Sequence, residues 1–427
     1  MLMRGRPRCL LLAGWAWLAL AKIIQGGAIY NPKDFGAKGN GIALDTHAIQ
    51  QAIDRCAASG GGIVQIPVGT YLTAPILLKS NITLQLDKGA VLIGTSDPAD
   101  YPVTGENVWQ GVMQKRPQAL LSATGQSHVR ISGEGMVYGS GAPWWKIAQE
   151  RKKAHQEDPP RPWLVQFTRC QDVLVEGVTL KDSPSYTLVP YFSSDVVIRN
   201  IKILAPPDSP NTDGVAPYSS HHVRIEHSVI DSGDDNVAIK SSRPSKPGED
   251  SSVSDITVSD CTFLHGHGAT IGADTGGGVH DILMENLRLE GTTYGLRIKS
   301  GRGFAGEVYN ITYRNITMTS TSPAITISAY YPSVPEHDSA QPVTFGTPKF
   351  HDITLSQVTA TGGEEAGSVI GLPESPIRNL VLDHVSVSAR KGLRVRHATI
   401  TSRTSDVKVT SGPAWIEEEN VQIDRVR

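Results

Sequence analysis

From residue 173 onward the chain repeats one pattern. Val173-Leu-Val-Glu-Gly-Val-Thr-Leu180 is followed by Val196-Val-Ile-Arg-Asn-Ile-Lys-Ile203, then by eight-residue segments that begin at Val223, Ile256, Ile282, Ile311, Ile353 and Leu380. Mostly apolar residues fill the first, third, sixth and eighth places. The two places between the third and the sixth are mostly polar or Gly. Two short alternating strands joined at a bend produce this pattern. The starts lie 23, 27, 33, 26, 29, 42 and 27 residues apart. Periods of this size mean a solenoid or a similar array, because one unit cannot bury its apolar face alone. Each unit runs on into another short strand: Gly214–Ala216, Asn236–Lys240, Ala269–Gly272, Leu296–Lys299 and Ala324–Ile327. Several strands per repeat predict an all-β chain, a right-handed parallel β-helix. The Leu/Asn framework of leucine-rich repeats is absent. Cys261 takes a sixth, inward place and reads as a small core residue.

The ends and insertions differ from the repeat. Asp45 can cap a helix from about Thr46 to Ala58, with Ala48, Ile49, Ala52, Ile53 and Cys56 on one face and Gly60-Gly61-Gly62 at its end. Such a helix covers the open end of a solenoid. Gly125 to Val137 reads as an early coil. The charged, Pro-rich stretch 144–161 reads as a loop, as do 97–118 and 333–348. Loops at 97–118, 144–162 and 331–348 can wall off one end of a cleft. At the N-terminus Arg4, Arg6 and Arg8 precede a short apolar run, Cys9 to Ala21. Together with Ala19-Leu20-Ala21 this reads as a secretory signal peptide over residues 1–28, cut after about 21 or 28, rather than an uncleaved anchor. Residues 29–427 then form one β-helix catalytic domain, exported and without a membrane partner.

Charge narrows the partners. Lys and Arg number 40 against 42 Asp and Glu, so the net charge is −2. Neither a basic excess for nucleic acid nor an acidic tail is present, and a polyanion must be held by local cations. Beyond the leader remain Cys56, Cys170 and Cys261, which allow at most one disulfide and no CxxC metal spacing.

Four polar clusters fall on successive coils, at or just before the extra strand: Asn211-Thr-Asp213-Gly214, Gly233-Asp234-Asp235, Gly266-His267-Gly268 and Arg297-Ile298-Lys299. Neighbouring parallel strands are about 4.8 Å apart. The clusters therefore line one outer face, with Asp213 one rung from Asp234 and Asp235, and Arg297 two rungs further. Carboxylates this close repel one another and raise at least one pKa, giving an acid for a leaving oxygen beside a base for water. Glycoside hydrolysis needs such a pair. Taken singly, each Asp-Gly cluster is equally a tight turn. Arg297 and Lys299 leave the same face and suit a carboxylate-bearing ligand, or else an ion pair with an acid on another coil. His267 can bond an Asp and tune its proton. His265 and His267 share a face, but two His without further ligands make a poor metal site. Among the aromatics, Trp144 and Trp145 read as loop anchors. Tyr330, one coil past Arg297, reads as the better cleft platform beside Tyr331.

At these clusters the chain resembles glycoside hydrolase family 28, the polygalacturonases, whose NTD, GDD, GHG and RIK motifs stand here in order from Asn211 to Lys299. The resemblance covers most of the chain from Phe35-Gly-Ala37 onward. It implies inverting, cofactor-free and metal-free hydrolysis of α-1,4-linked galacturonan in pectin, by a chain expected to be monomeric. By the same resemblance Asp234 is the general acid, and Asp213 and Asp235 orient and activate water. His267 supports the proton chemistry, Arg297 and Lys299 bind the galacturonate carboxylate, Tyr330 lines the cleft and Asn211 shapes it. Asn236 departs from the Cys that many members carry after GDD.

Four alternatives remain open from the sequence. Exo-acting cleavage and a rhamnogalacturonan- or xylogalacturonan-directed specificity lie within the same family. A pectate lyase, with calcium held by acids and Arg297 as base, and a non-catalytic carbohydrate-binding solenoid lie outside it.

Overall fold

A computed structural model describes residues 28–426 apart from 110, 111 and 247; the leader, but for Ala28, lies outside the described residues. The repeat becomes a stack of parallel strands in register. Val173 pairs with Val196, Val196 with Val223, Val223 with Ile256, Ile256 with Ile282, Ile282 with Ile311, Ile311 with Ile353 and Ile353 with Leu380. All eight first-place residues are buried in one continuous apolar core. Burying such a side chain contributes about 1.5–3 kcal/mol. Parallel crossovers of this kind wind right-handed.

The polar places have their own logic. The fifth residue of every unit is in the left-handed region: Gly177, Asn200, His227, Asp260, Asn286, Asn315, Gln357 and His384, with φ between 50° and 76°. That conformation suits Gly and is tolerated by Asn and Asp. It bends the chain between the two strands. The bends also stack, for Asn315 Nδ2 donates to Asn286 Oδ1 at 2.7 Å and Asn286 Nδ2 to Asp260 Oδ1 at 3.1 Å.

The third face carries the polar clusters. Its strands are β1 (Leu188–Tyr191), β2 (Val237–Ser241), β3 (Ala269–Thr275), β4 (Leu296–Lys299) and β5 (Ile325–Ser328). Residues 214–218 join β1 to β2 through bridges at Val215 and Tyr218. Ala238, Thr270, Arg297 and Thr326 form one outward row. Two residues on, Tyr218 pairs with Lys240, and Lys299 with Ser328.

Helix α1 (Thr46–Ala58) covers the N-terminal end with the expected face, Ala48, Ile49, Ala52, Ile53 and Cys56, all buried. Asp45 does not cap it by side chain. Its carboxylate instead accepts from the backbone N–H of Lys38 at 2.6 Å and of Gly39 at 2.9 Å, tying the preceding loop. Two expected loops are ordered elements. Residues Ala142–Lys153 form helix α2, with Pro143 in its first turn and Trp144, Trp145 and Ala148 on its buried face; its outer face carries the charges that suggested a loop. Val103–Trp109 and Val112–Pro117 pair as an antiparallel hairpin. The stretch 333–348 has no helix or strand. Cys56, Cys170 and Cys261 are buried and unpaired with one another. Burial pushes the Cys261 thiol up to about 12. No helix among the described residues is long and apolar enough to cross a membrane.

Candidate active site

The stack brings Asp213, Asp234 and Asp235 into one cleft, lined also by Tyr186, Asn211, Lys240, Lys299 and Tyr331. Each acid has a cation of its own. Lys240 Nζ lies 2.8 Å from Asp213 Oδ2. Lys299 Nζ lies 3.0 Å from Asp235 Oδ2, and the Thr270 hydroxyl donates to Asp235 Oδ1 at 2.8 Å. His267 Nδ1 lies 3.0 Å from Asp234 Oδ1. Buried carboxylates need such partners, since one stripped of its cation costs several kcal/mol.

These environments separate the acids. Burial pushes Asp213 up to about 7, against the pull of Lys240 and with help from the charges of Asp234 and Asp235. Burial also opposes ionisation of Asp234. The His267 hydrogen bond and charge outweigh it and hold that carboxyl well below the usual range. Conversely, burial works against the His267 cation, but Asp234 raises its pKa above the ordinary imidazole value. Burial lowers Lys299, which also feels Arg297, whereas Asp213 and Tyr186 overcome burial and hold Lys240 well above the ordinary amine value. A carboxylate held this low is a poor acid alone. His267 Nδ1, 3.0 Å away and with its pKa raised, stands where it can hand Asp234 a proton.

Arg297 and Lys299 leave the same side of β4, while Leu296 and Ile298 are buried. The Arg297 guanidinium sits 3.7 Å over the Tyr294 ring, with Nη1 3.5 Å from Asp235, and its buried Nε has no hydrogen-bond partner. Tyr294 also meets His267 edge-on at 5.6 Å. Asn211 Oδ1 accepts from Arg161 at 2.7 Å, and Arg161 is itself held by the carbonyls of Pro184 and Pro210, both at 2.8 Å. Ligand atoms of Asp234, Asp235 and His267 fall within 4.8 Å of one another. With Lys299 and Arg297 already against Asp235, this group suits protonated partners better than a divalent ion.

Tyr330 is not a cleft residue. Its hydroxyl donates to Asp338 at 2.7 Å and its ring lies 5.6 Å from both Arg302 and Arg396, within the core. The neighbouring Tyr331 lines the cleft instead, its ring 5.5 Å from Lys299 Nζ. Strand parity fails here because the chain turns at Ser328, whose hydroxyl donates to the Tyr330 carbonyl. His265 bonds Asp231 at 2.8 Å, away from the acids. Lys240 and Tyr186 escaped sequence reasoning. The signal for Lys240 was present, since it shares strand parity with Ala238 in the segment that follows Asp234-Asp235.

Comparison with known proteins agrees with this geometry. An endo-polygalacturonase of Pectobacterium carotovorum subsp. carotovorum is 30% identical over 330 residues, 74% of this chain and 77% of that protein. An exo-poly-alpha-D-galacturonosidase of Dickeya chrysanthemi is 27% identical over 394 residues, 80% of this chain and 64% of the relative. The crystal structure of a hyperthermoactive exopolygalacturonase from Thermotoga maritima superposes with a TM-score of 0.74 at 26% identity, covering 93% of this chain and 92% of that one. The family model of the glycosyl hydrolases family 28 matches residues 71–423, and the chain belongs to that family.

Proposed function

We propose that this chain hydrolyses α-1,4-galacturonosidic bonds of pectic polysaccharide with inversion, after export and as a monomer. The observation that carries the reading is the cleft in which three carboxylates each meet a separate cation, with Arg297 and Lys299 on the same wall. Arg297 and Lys299 grip the uronate carboxylate, Arg297 by its fork and Lys299 as a point charge. Asp234 protonates the leaving oxygen, its proton supplied through His267. Asp213 and Asp235, each fixed by a lysine, accept the proton of the attacking water. Tyr331 flanks the bound sugar, and Asn211, braced by Arg161, shapes the approach. No step needs a cofactor.

Incubation with polygalacturonate tests this. Reducing ends should accumulate without an unsaturated, ultraviolet-absorbing product and without sensitivity to chelator. The Asp234→Asn variant should lose about 10²–10⁴-fold in turnover. A full-rate Asp234→Asn, or release of an unsaturated product, overturns the assignment.

A further inference from the structure

We infer that Lys240 is a positioning residue for the reaction, holding Asp213 as the carboxylate that accepts the proton of the attacking water. The inference rests on the hydrolase reading above.

Asp213 has 2% exposure, so solvent screens its charge little. Asp234 and Asp235, from the turn before β2, face it with like charge. Tyr186, from the segment before β1, contributes a neutral hydroxyl. Lys240 on β2 is the cation at hydrogen-bond distance: its Nζ donates to Asp213 Oδ2 at 2.8 Å and to the Tyr186 hydroxyl at 2.7 Å, and sits 4.2 Å from the Tyr186 ring. Lys299 is engaged with Asp235 and His267 with Asp234. Lys240 itself also feels Asp235. Buried in this way, Asp213 has its pKa pushed up, and Lys240 is the largest influence in the other direction.

The chemistry then divides the two lysines. Gly272, on β3 between β2 and β4, lines the cleft where a side chain has no room, since a Cβ there would meet the Lys299 carbonyl at 1.8 Å. Lys299 stands beside Arg297 and Tyr331 on the cleft wall. Lys240 also lines the cleft, but two of its three N–H donors are held by Asp213 and Tyr186, so its effect reaches the reaction through Asp213. Removing its charge should raise the pKa at which Asp213 becomes a base, and the acid limb of kcat/KM should move to higher pH.

The experiment compares pH profiles of kcat/KM on polygalacturonate for the wild-type chain, Lys240→Met, Lys240→Arg and Tyr186→Phe, with folding checked by circular dichroism. Lys240→Met should shift the acid limb upward by at least one pH unit and leave the alkaline limb in place. Lys240→Arg should keep the limb within a few tenths of a unit, even at a lower plateau. A folded Lys240→Met with an unmoved acid limb overturns the inference. Should Lys240→Met fail to fold, Tyr186→Phe decides: a smaller shift in either direction supports the coupling through Lys240, and none refutes it. A wild-type chain that releases no reducing ends would instead refute the hydrolase reading.

Discussion

His267 shows how one residue couples burial to catalysis. Burial works against the imidazolium, but Asp234 outweighs it and raises the imidazole pKa above its ordinary value. The sign follows directly: proton delivery through Asp234 is intact below that raised pKa and is lost as pH rises through it. The alkaline limb of kcat/KM therefore belongs to His267. His267→Gln, which keeps a hydrogen-bond donor but cannot titrate, should lower turnover about 10²-fold and abolish that limb, with little change in KM. A pH–rate series would settle it, since an alkaline limb that survives the substitution assigns the proton to another group. At this scale the sequence displayed the acids with His267 and Lys299, but not the partner of Asp213. Asp213, Asp234 and Asp235 stand in short local motifs. Lys240, Tyr186 and Arg161 become neighbours only through the stacking of coils whose lengths vary. Tyr330 and Tyr331 show how sharp the limit is, because a turn at Ser328 exchanges their environments.

Elements were the most legible scale, for a physical reason. Period-two apolar spacing and the polar fifth place are two halves of one geometry, strands that bury alternate residues and a left-handed residue that bends them. The bend makes a specific demand at Asn286, which has φ 55° and bonds both Asp260 and Asn315. A β-branched residue there is strained, at about 1–3 kcal/mol. Asn286→Val should lower the unfolding free energy by about that amount, and Asn286→Gly by clearly less, as Gly177 occupies the equivalent place in an earlier coil. Equal losses in urea titrations would place the cost in the lost hydrogen bonds rather than in the backbone. Helix α2 and the 103–117 hairpin were hidden because their patterns are unlike the repeat. In α2, two Trp and one Ala make the buried face while Lys and Arg crowd the other. Asp45 was legible as the helix N-cap position but not in what it binds, because its carboxylate faces the preceding loop.

Across the whole molecule the cleft is asymmetric. On its N-terminal side Asn211 and Ser185 border a second hollow with Arg116, Asp158 and Arg161, and Arg116 borders a third with Ser122, Trp163 and Gln166. These continue the face of β1 back across earlier coils, one rung every 4.8 Å or so. On the C-terminal side the 331–348 stretch begins at Tyr331, which lines the cleft. It is pinned where Arg302 bonds Asp338 and Glu374, and where Arg396 donates to the carbonyls of Pro335 and Glu336, both at 3.1 Å. An extended polyuronate seated at Asp234 thus finds room, and the cation Arg116, toward the N-terminal coils. Binding energy from those remote sugars can serve the reacting one. We therefore expect kcat/KM to climb with chain length from di- to tri- to pentagalacturonate. The gain from trimer to pentamer should shrink in Arg116→Met while turnover of the dimer changes little. Equal kcat/KM for trimer and pentamer in the wild-type chain would mean that the outer hollows hold no substrate, and that the site recognises only the sugars that flank the broken bond.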